Sequence, residues 1–127
     1  MTAWMRHLRL PFALIAALAA SAAMAAAQPA PTCDRACLDG ILDQYLAALL
    51  ARDPSKVPWS ASPRTTENNV ELRVGDGLWG TITDLDDYQM RFADPRTGGV
   101  ALFGVVKETT TRSPFALRLK VVEKSVA

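Results

Sequence analysis

The sequence predicts an α+β domain, with one N-terminal helix packed on a twisted antiparallel sheet that curves around it. Two observations carry this. Residues 34–52 hold the one clear 3.6-residue apolar period. Three strand-like runs follow residue 87, joined by segments too short for crossover helices, which makes them an antiparallel meander.

The helix is expected over Asp34–Arg52. Leu38, Ile41, Leu42, Tyr45 and Leu49 recur on one face, while Asp39, Asp43 and Gln44 lie away from its centre. Asp34 suits the positive end of the helix dipole and Arg52 the negative end, and Asp53-Pro54 stops the helix. Residues 54–69 read as an irregular connection carrying Pro54, Pro58, Pro63 and Trp59. Val70, Leu72 and Val74 alternate with Glu71 and Arg73, the pattern of a short half-buried strand. Gly75-Asp-Gly-Leu-Trp-Gly80 reads as a tight turn or a single helical turn with Leu78 and Trp79 tucked inward. Asp84, Asp86 and Asp87 read as a solvated turn before a strand at Tyr88, Met90 and Phe92. The run 100–106 is apolar on both faces and is expected at the centre of the sheet. Phe115, Leu117, Leu119 and Val121 form the last alternating strand, with Arg118 turned to solvent.

The chain has 127 residues, enough for one domain, and its 50% apolar and 21% charged composition is globular. A net charge of +1 argues against a nucleic-acid binder. Much of the apolar content lies in residues 1–27. Arg6, His7 and Arg9 precede an Ala-rich stretch that ends in Ala25-Ala-Ala27, the pattern of a cleaved secretory signal. A membrane anchor is the competing reading, because the stretch reaches about 20 residues. The signal reading makes the protein secreted or periplasmic, with no membrane association after cleavage. Residues 28–32 then form a short linker stiffened by Pro29 and Pro31. Export permits disulfides, and Cys33 and Cys37 lie one helical turn apart, about 6 Å, within bridging range. The competing reading is two free thiols.

His7 is the only histidine and falls in the signal. Histidine-based nucleophile pairs and histidine-ligated metals are therefore not expected, and no metal or cofactor motif occurs. The carboxylates Glu67 and Asp76, with Tyr45 on the helix, are the candidate catalytic groups. Each also has a plain structural reading as a strand-end, turn or core residue. Tyr45, Trp59, Trp79 and Tyr88 are the candidate lining of an apolar ligand pocket, against simple core filling.

Several stretches together carry a family resemblance. They are Cys33-Asp-Arg-Ala-Cys37-Leu38, Arg52-Asp-Pro-Ser55, Thr66-Glu-Asn68, Gly75-Asp-Gly-Leu-Trp79, Phe103-Gly-Val-Val106 and Leu117-Arg-Leu-Lys120, spread over most of residues 33–120. The chain resembles a secreted group within the nuclear transport factor 2-like superfamily, which includes ketosteroid isomerases and SnoaL-like polyketide cyclases. The resemblance implies a cone-shaped domain over residues 33–127, whose curved sheet and helix enclose a pocket. It brings no assigned catalytic residues. Similar domains continue past Lys120 into at least one more strand, so this chain reads as a C-terminally truncated copy with an open sheet edge prone to dimerisation. Three functions follow as expectations. The first is a module binding a small apolar molecule, the second an isomerase- or cyclase-like enzyme using a carboxylate base, and the third a structural module that forms a homodimer through its sheet.

Overall fold

The structure is a computed structural model and describes residues 32–127. The expected signal peptide (1–27) and nearly all of the linker lie outside the described residues. Helix α1 spans Arg35–Leu50. The Asp34 carboxylate accepts from the Cys37 amide at 2.9 Å and caps the first turn. Cys33 and Cys37 are joined by a disulfide across that turn, with Cα atoms 5.3 Å apart. At the other end the Asp53 amide donates to the Ala48 carbonyl and the Arg52 amide to that of Leu49, both at 3.0 Å. This is a Schellman closure, and it places Arg52 in the left-handed region at φ 53°. The position favours glycine, but Arg52 uses its side chain there. Its guanidinium donates twice to the Ile82 carbonyl, at 2.9 and 2.7 Å, and ties the helix end to the sheet.

The connection after α1 is more ordered than expected. It holds a 3-10 turn at Pro54–Lys56 and a short strand β1, Thr65–Glu67, paired antiparallel with β2, Val70–Leu72. Asn68 and Asn69, at φ 49° and 65°, form the two-residue turn between them, the left-handed geometry that asparagine tolerates. The paired strand is shorter than expected and ends at Leu72. Leu72 and Val74 are half-buried between the exposed Glu71 and Arg73 as expected, whereas Val70 is exposed. A two-stranded ribbon at the surface has no layer beneath both of its faces. Helix α2 is a single turn, Leu78–Thr81, with Trp79 buried as expected.

Four strands build the main sheet in sequential antiparallel order: β3 (Ile82–Asp94), β4 (Gly99–Glu108), β5 (Thr111–Val122) and β6 (Ser125–Val126). The expected turn at Asp84–Asp87 lies instead inside β3. The ladder passes from Leu85↔Val106 to Gln89↔Gly104, so Asp86, Asp87 and Tyr88 bulge opposite Val105. Gly104 makes room for this, because a Cβ there would stand 3.1 Å from the Tyr88 carbonyl oxygen. The short β6 pairs with Val121 and Val122 of β5 on one side. On its other side Val126 donates to the Pro58 carbonyl (2.7 Å) and accepts from the Ser60 amide (2.8 Å). The last strand is therefore paired on both sides.

The core lies between α1 and the inner sheet face. Leu38, Ile41, Leu42, Tyr45, Leu46 and Leu49 meet Val100, Leu102, Val106, Leu119 and Val121. Leu38, Leu42 and Leu102 are wholly buried. Replacing Leu42 by alanine is expected to lower stability by about 2–5 kcal/mol in urea denaturation. Replacing both cysteines by serine should cost about 2 kcal/mol or less, because the bridge closes only a five-residue loop.

Candidate functional site

A small cavity opens between α1, the β1–β2 ribbon, α2 and β5. Its volume is about 80 Å³, and Tyr45, Glu67, Asp76, Trp79, Phe115 and Leu117 contribute to its walls. The structure thus brings together four residues singled out in the sequence: Tyr45, Glu67, Asp76 and Trp79. Trp59 stands behind them, its ring 6.0 Å from Tyr45 and 6.5 Å from Trp79. Its indole N–H donates to the Pro54 carbonyl at 2.8 Å. Tyr45 and Trp79 meet edge to face at 5.4 Å. The three rings pack on one another at distances and angles that aromatic pairs favour.

The two carboxylates already have partners. Glu67 Oε2 accepts from the Leu78 amide at 2.9 Å and so caps α2 from across the ribbon. Gly77, at φ 67°, precedes that helix, and a Cβ on it would fall 2.2 Å from the same oxygen. Asp76 pairs with Arg73 at 3.1 Å. Burial pushes the Tyr45 phenol above its ordinary 10.0, the Trp79 indole N–H pulls it back, and the nearby Glu67 charge pushes it further up. No set of three or more His, Cys, Asp or Glu side chains able to hold a metal ion occurs among the described residues.

Tyr88 stands apart from this group, on the opposite face of the sheet. There it is 60% exposed beside Met90 (46%), Phe92 (49%) and Phe103 (54%). The Phe92 and Phe103 rings meet edge to face at 6.1 Å, and the Tyr88 hydroxyl lies 3.0 Å from Met90 Sδ. Register explains the placement. Leu102 faces the core and pairs with Arg91, so Met90 and Phe92 share the outer face with their partners Phe103 and Ala101. Meanwhile Arg91 turns toward the helix side and pairs with Asp43 of α1 at 2.6 Å. The run 100–106 is therefore central in pairing but open on one face. Period 2 identified the faces of β3 but not which of them is covered, and the apolar character of Phe103 on an uncovered strand was the available signal.

A wide, open groove of about 540 Å³ runs past the β3 bulge, lined by Asp84, Asp86, Asp87, Lys107 and Arg112. Asp86 and Arg112 form an ion pair across it, so its charges are largely balanced internally. No helix among the described residues is long and apolar enough to cross a membrane.

Comparison with known proteins finds no matching family model, no similar curated protein and no similar solved structure.

Two expectations follow. Replacing Glu67 by alanine should cost about 0.5–2 kcal/mol through loss of the α2 cap, read by urea denaturation, and Glu67→Gln should cost less because its amide oxygen still accepts. The folded Tyr45 phenol ionises above the unfolded value. Its contribution to stability is therefore complete below pH 10.0 and is lost as pH rises through the folded value. Tyr45→Phe should show a smaller alkaline loss of stability than the wild type in pH-dependent denaturation.

Proposed function

We propose that this protein is a non-enzymatic interaction module whose outer sheet face docks onto a second copy of itself. The observation that carries the reading is the dressing of residues 88–92 of β3: Tyr88, Met90 and Phe92 face water while Arg91 faces the helix. Exposed apolar clusters of this kind mark interaction sites in soluble proteins. A two-fold interface needs a self-complementary patch, and this face supports one. The apolar centre, Phe103 on β4, pairs with Met90 of β3 and Ala116 of β5, and further along the same strands stand Asp94 on β3 and Arg118 on β5. A two-fold axis along the strands and through β4 lays β3 of one copy over β5 of the other. Asp94 then faces the basic flank of its partner, and Arg118 covers a Phe92 ring, whose face attracts a cation. Two sheets packed this way lie about 10 Å apart with strands roughly 30° from aligned.

A second reading, a small apolar ligand held between α1 and a cone-like sheet, draws support from the convergence of Tyr45, Trp79, Phe115 and Leu117 on one cavity. The volume of about 80 Å³ is well below the roughly 300 Å³ at which ligand pockets begin. That difference ranks this reading behind the first. The enzymatic alternative ranks third, because Glu67 and Asp76 both spend their carboxylates on structure.

Sedimentation velocity of the exported protein should show a dimer at micromolar concentration. Phe103→Arg should give a monomer with an unchanged far-ultraviolet circular dichroism spectrum. A wild-type monomer, or a dimer indifferent to Phe103→Arg, would overturn the reading. In the second case, tryptophan fluorescence that responds to apolar compounds would favour the cavity.

A further inference from the structure

The main sheet has two edges, and they are treated differently. Along β3 the Ala93 carbonyl accepts from Arg35 at 2.9 Å, the Ile82 carbonyl accepts twice from Arg52, and the bulge breaks the line between them. Such devices blunt an edge against further pairing. Along β5 the partner β6 covers only Val121 and Val122. Residues 111–120 pair with β4 on one side and with no strand on the other, among the described residues.

The direction of the free groups can be read from two bonds. The Val121 amide donates toward β4, to Gly98, while the Lys120 carbonyl accepts from Ala127 on the far side. Successive residues of a strand alternate, so the amides and carbonyls of Arg112, Ala116 and Arg118 also point away from β4, with the Pro114 carbonyl among them. The side chains alternate between the two faces. Phe115 and Leu117 stand half-buried on the inner face beside the small cavity. Arg112 and Arg118 stand on the outer face, and Arg118 has no carboxylate partner among the described residues.

We propose that this edge of β5, Arg112–Arg118, docks an extended peptide segment whose side chains alternate apolar and acidic, added to the sheet as a further strand. Backbone pairing to Ala116 and Arg118 supplies the affinity, and the alternation supplies the specificity. Inward side chains of the added strand lie beside Phe115 and Leu117, where an apolar group extends the core. Outward ones lie beside Arg118, where a carboxylate is favoured. A second copy fits this edge poorly. Antiparallel pairing of two β5 strands about Ala116 sets Arg112 against Lys120, a like-charge pair, and Arg118 against Pro114, which has no amide to donate. The edge itself, the outward amides and carbonyls of residues 112–118, is distinct from the outer-face patch centred on Phe103, and Arg118 borders both.

The probe is a short synthetic peptide alternating valine and glutamate, added to the isotope-labelled protein and followed by nuclear magnetic resonance. The Ala116 and Arg118 amides should shift, and their hydrogen exchange should slow by about tenfold or more. A control peptide with lysine in place of glutamate should bind about fivefold more weakly, the size of one cross-strand charge pair. Ala116→Pro removes a donor from the edge and should abolish binding. Because that change also strains the strand, Arg118→Glu is the second variant, and it should reverse the preference in favour of the lysine peptide. Unprotected Ala116 and Arg118 amides at saturating peptide, equal binding of the two peptides, or shifts confined to Met90, Phe92 and Phe103 would each overturn the proposal.

Discussion

The register of β4 beneath α1 is the constraint on which the rest of the domain depends. Val100, Leu102 and Val106 point into the helix stripe and are buried against it. A slip of one residue would send Ala101, Phe103 and Val105 to the core and expose three well-packed side chains, so the helix fixes the register. Through the ladder, that choice dictates the faces of both neighbours. Arg91 and Leu117 pair with Leu102 and go to the helix side, while Met90 and Ala116 pair with Phe103 and go to the other. The aromatic character of the outer face is thus a by-product of how the inner one is filled.

The ribbon and the short helix α2 depend on a different contact. Neither β1–β2 nor α2 is long enough to persist alone, since two-stranded ribbons and single helical turns are marginal in water. They are held by Trp79 packing on Tyr45 and by Glu67 reaching across to the Leu78 amide. These contacts give the convergence of Tyr45 and Glu67 a structural cause. The Glu67 carboxylate is held on the Leu78 amide, the Tyr45 phenol packs against Trp79, and the glycine before α2 is required by the oxygen that would collide with any side chain there.

The legibility of this fold in the sequence follows the range of the interactions. Helix α1 was readable because its period, the acidic Asp34 at its start and its Asp53-Pro54 stop are all local, although Asp34 caps the helix from outside and the helix ends at Leu50, before Arg52. The cysteine pair was readable for the same reason, as a spacing of four, although Cys33 stands just before the Asp34 cap rather than on the helix. The strand at Val70 and Leu72 was legible from its alternation, whereas the three residues of β1 before the Asn68-Asn69 turn are too short to stand out. What could not be read were the properties set across the sheet. The aspartates of β3 look like a turn in isolation, and only Gly104, sixteen residues beyond Tyr88, accommodates them as a bulge. The outward face of β3 likewise depends on Leu102 and not on anything in β3 itself. For the candidate site, Tyr45, Glu67, Asp76 and Trp79 stood out by residue type in two separate sets, whereas their meeting at one cavity, the engagement of both carboxylates and the absence of Tyr88 from it were not legible.

The Cys33–Cys37 bridge has a mechanical side. Cys33 is buried with the core cluster, and the bridge fastens it covalently to the first turn of α1. Tension transmitted along the chain into residue 32 would otherwise peel that turn open one hydrogen bond at a time, the weakest way to load a helix. With the bridge in place, the load passes from Cys33 to Cys37 before any bond of the first turn is stressed. It reaches the helix beside Leu38, which is wholly buried in the core. The first turn therefore works as a strain relief, like the clamp that keeps a pulled cord from working its terminals loose.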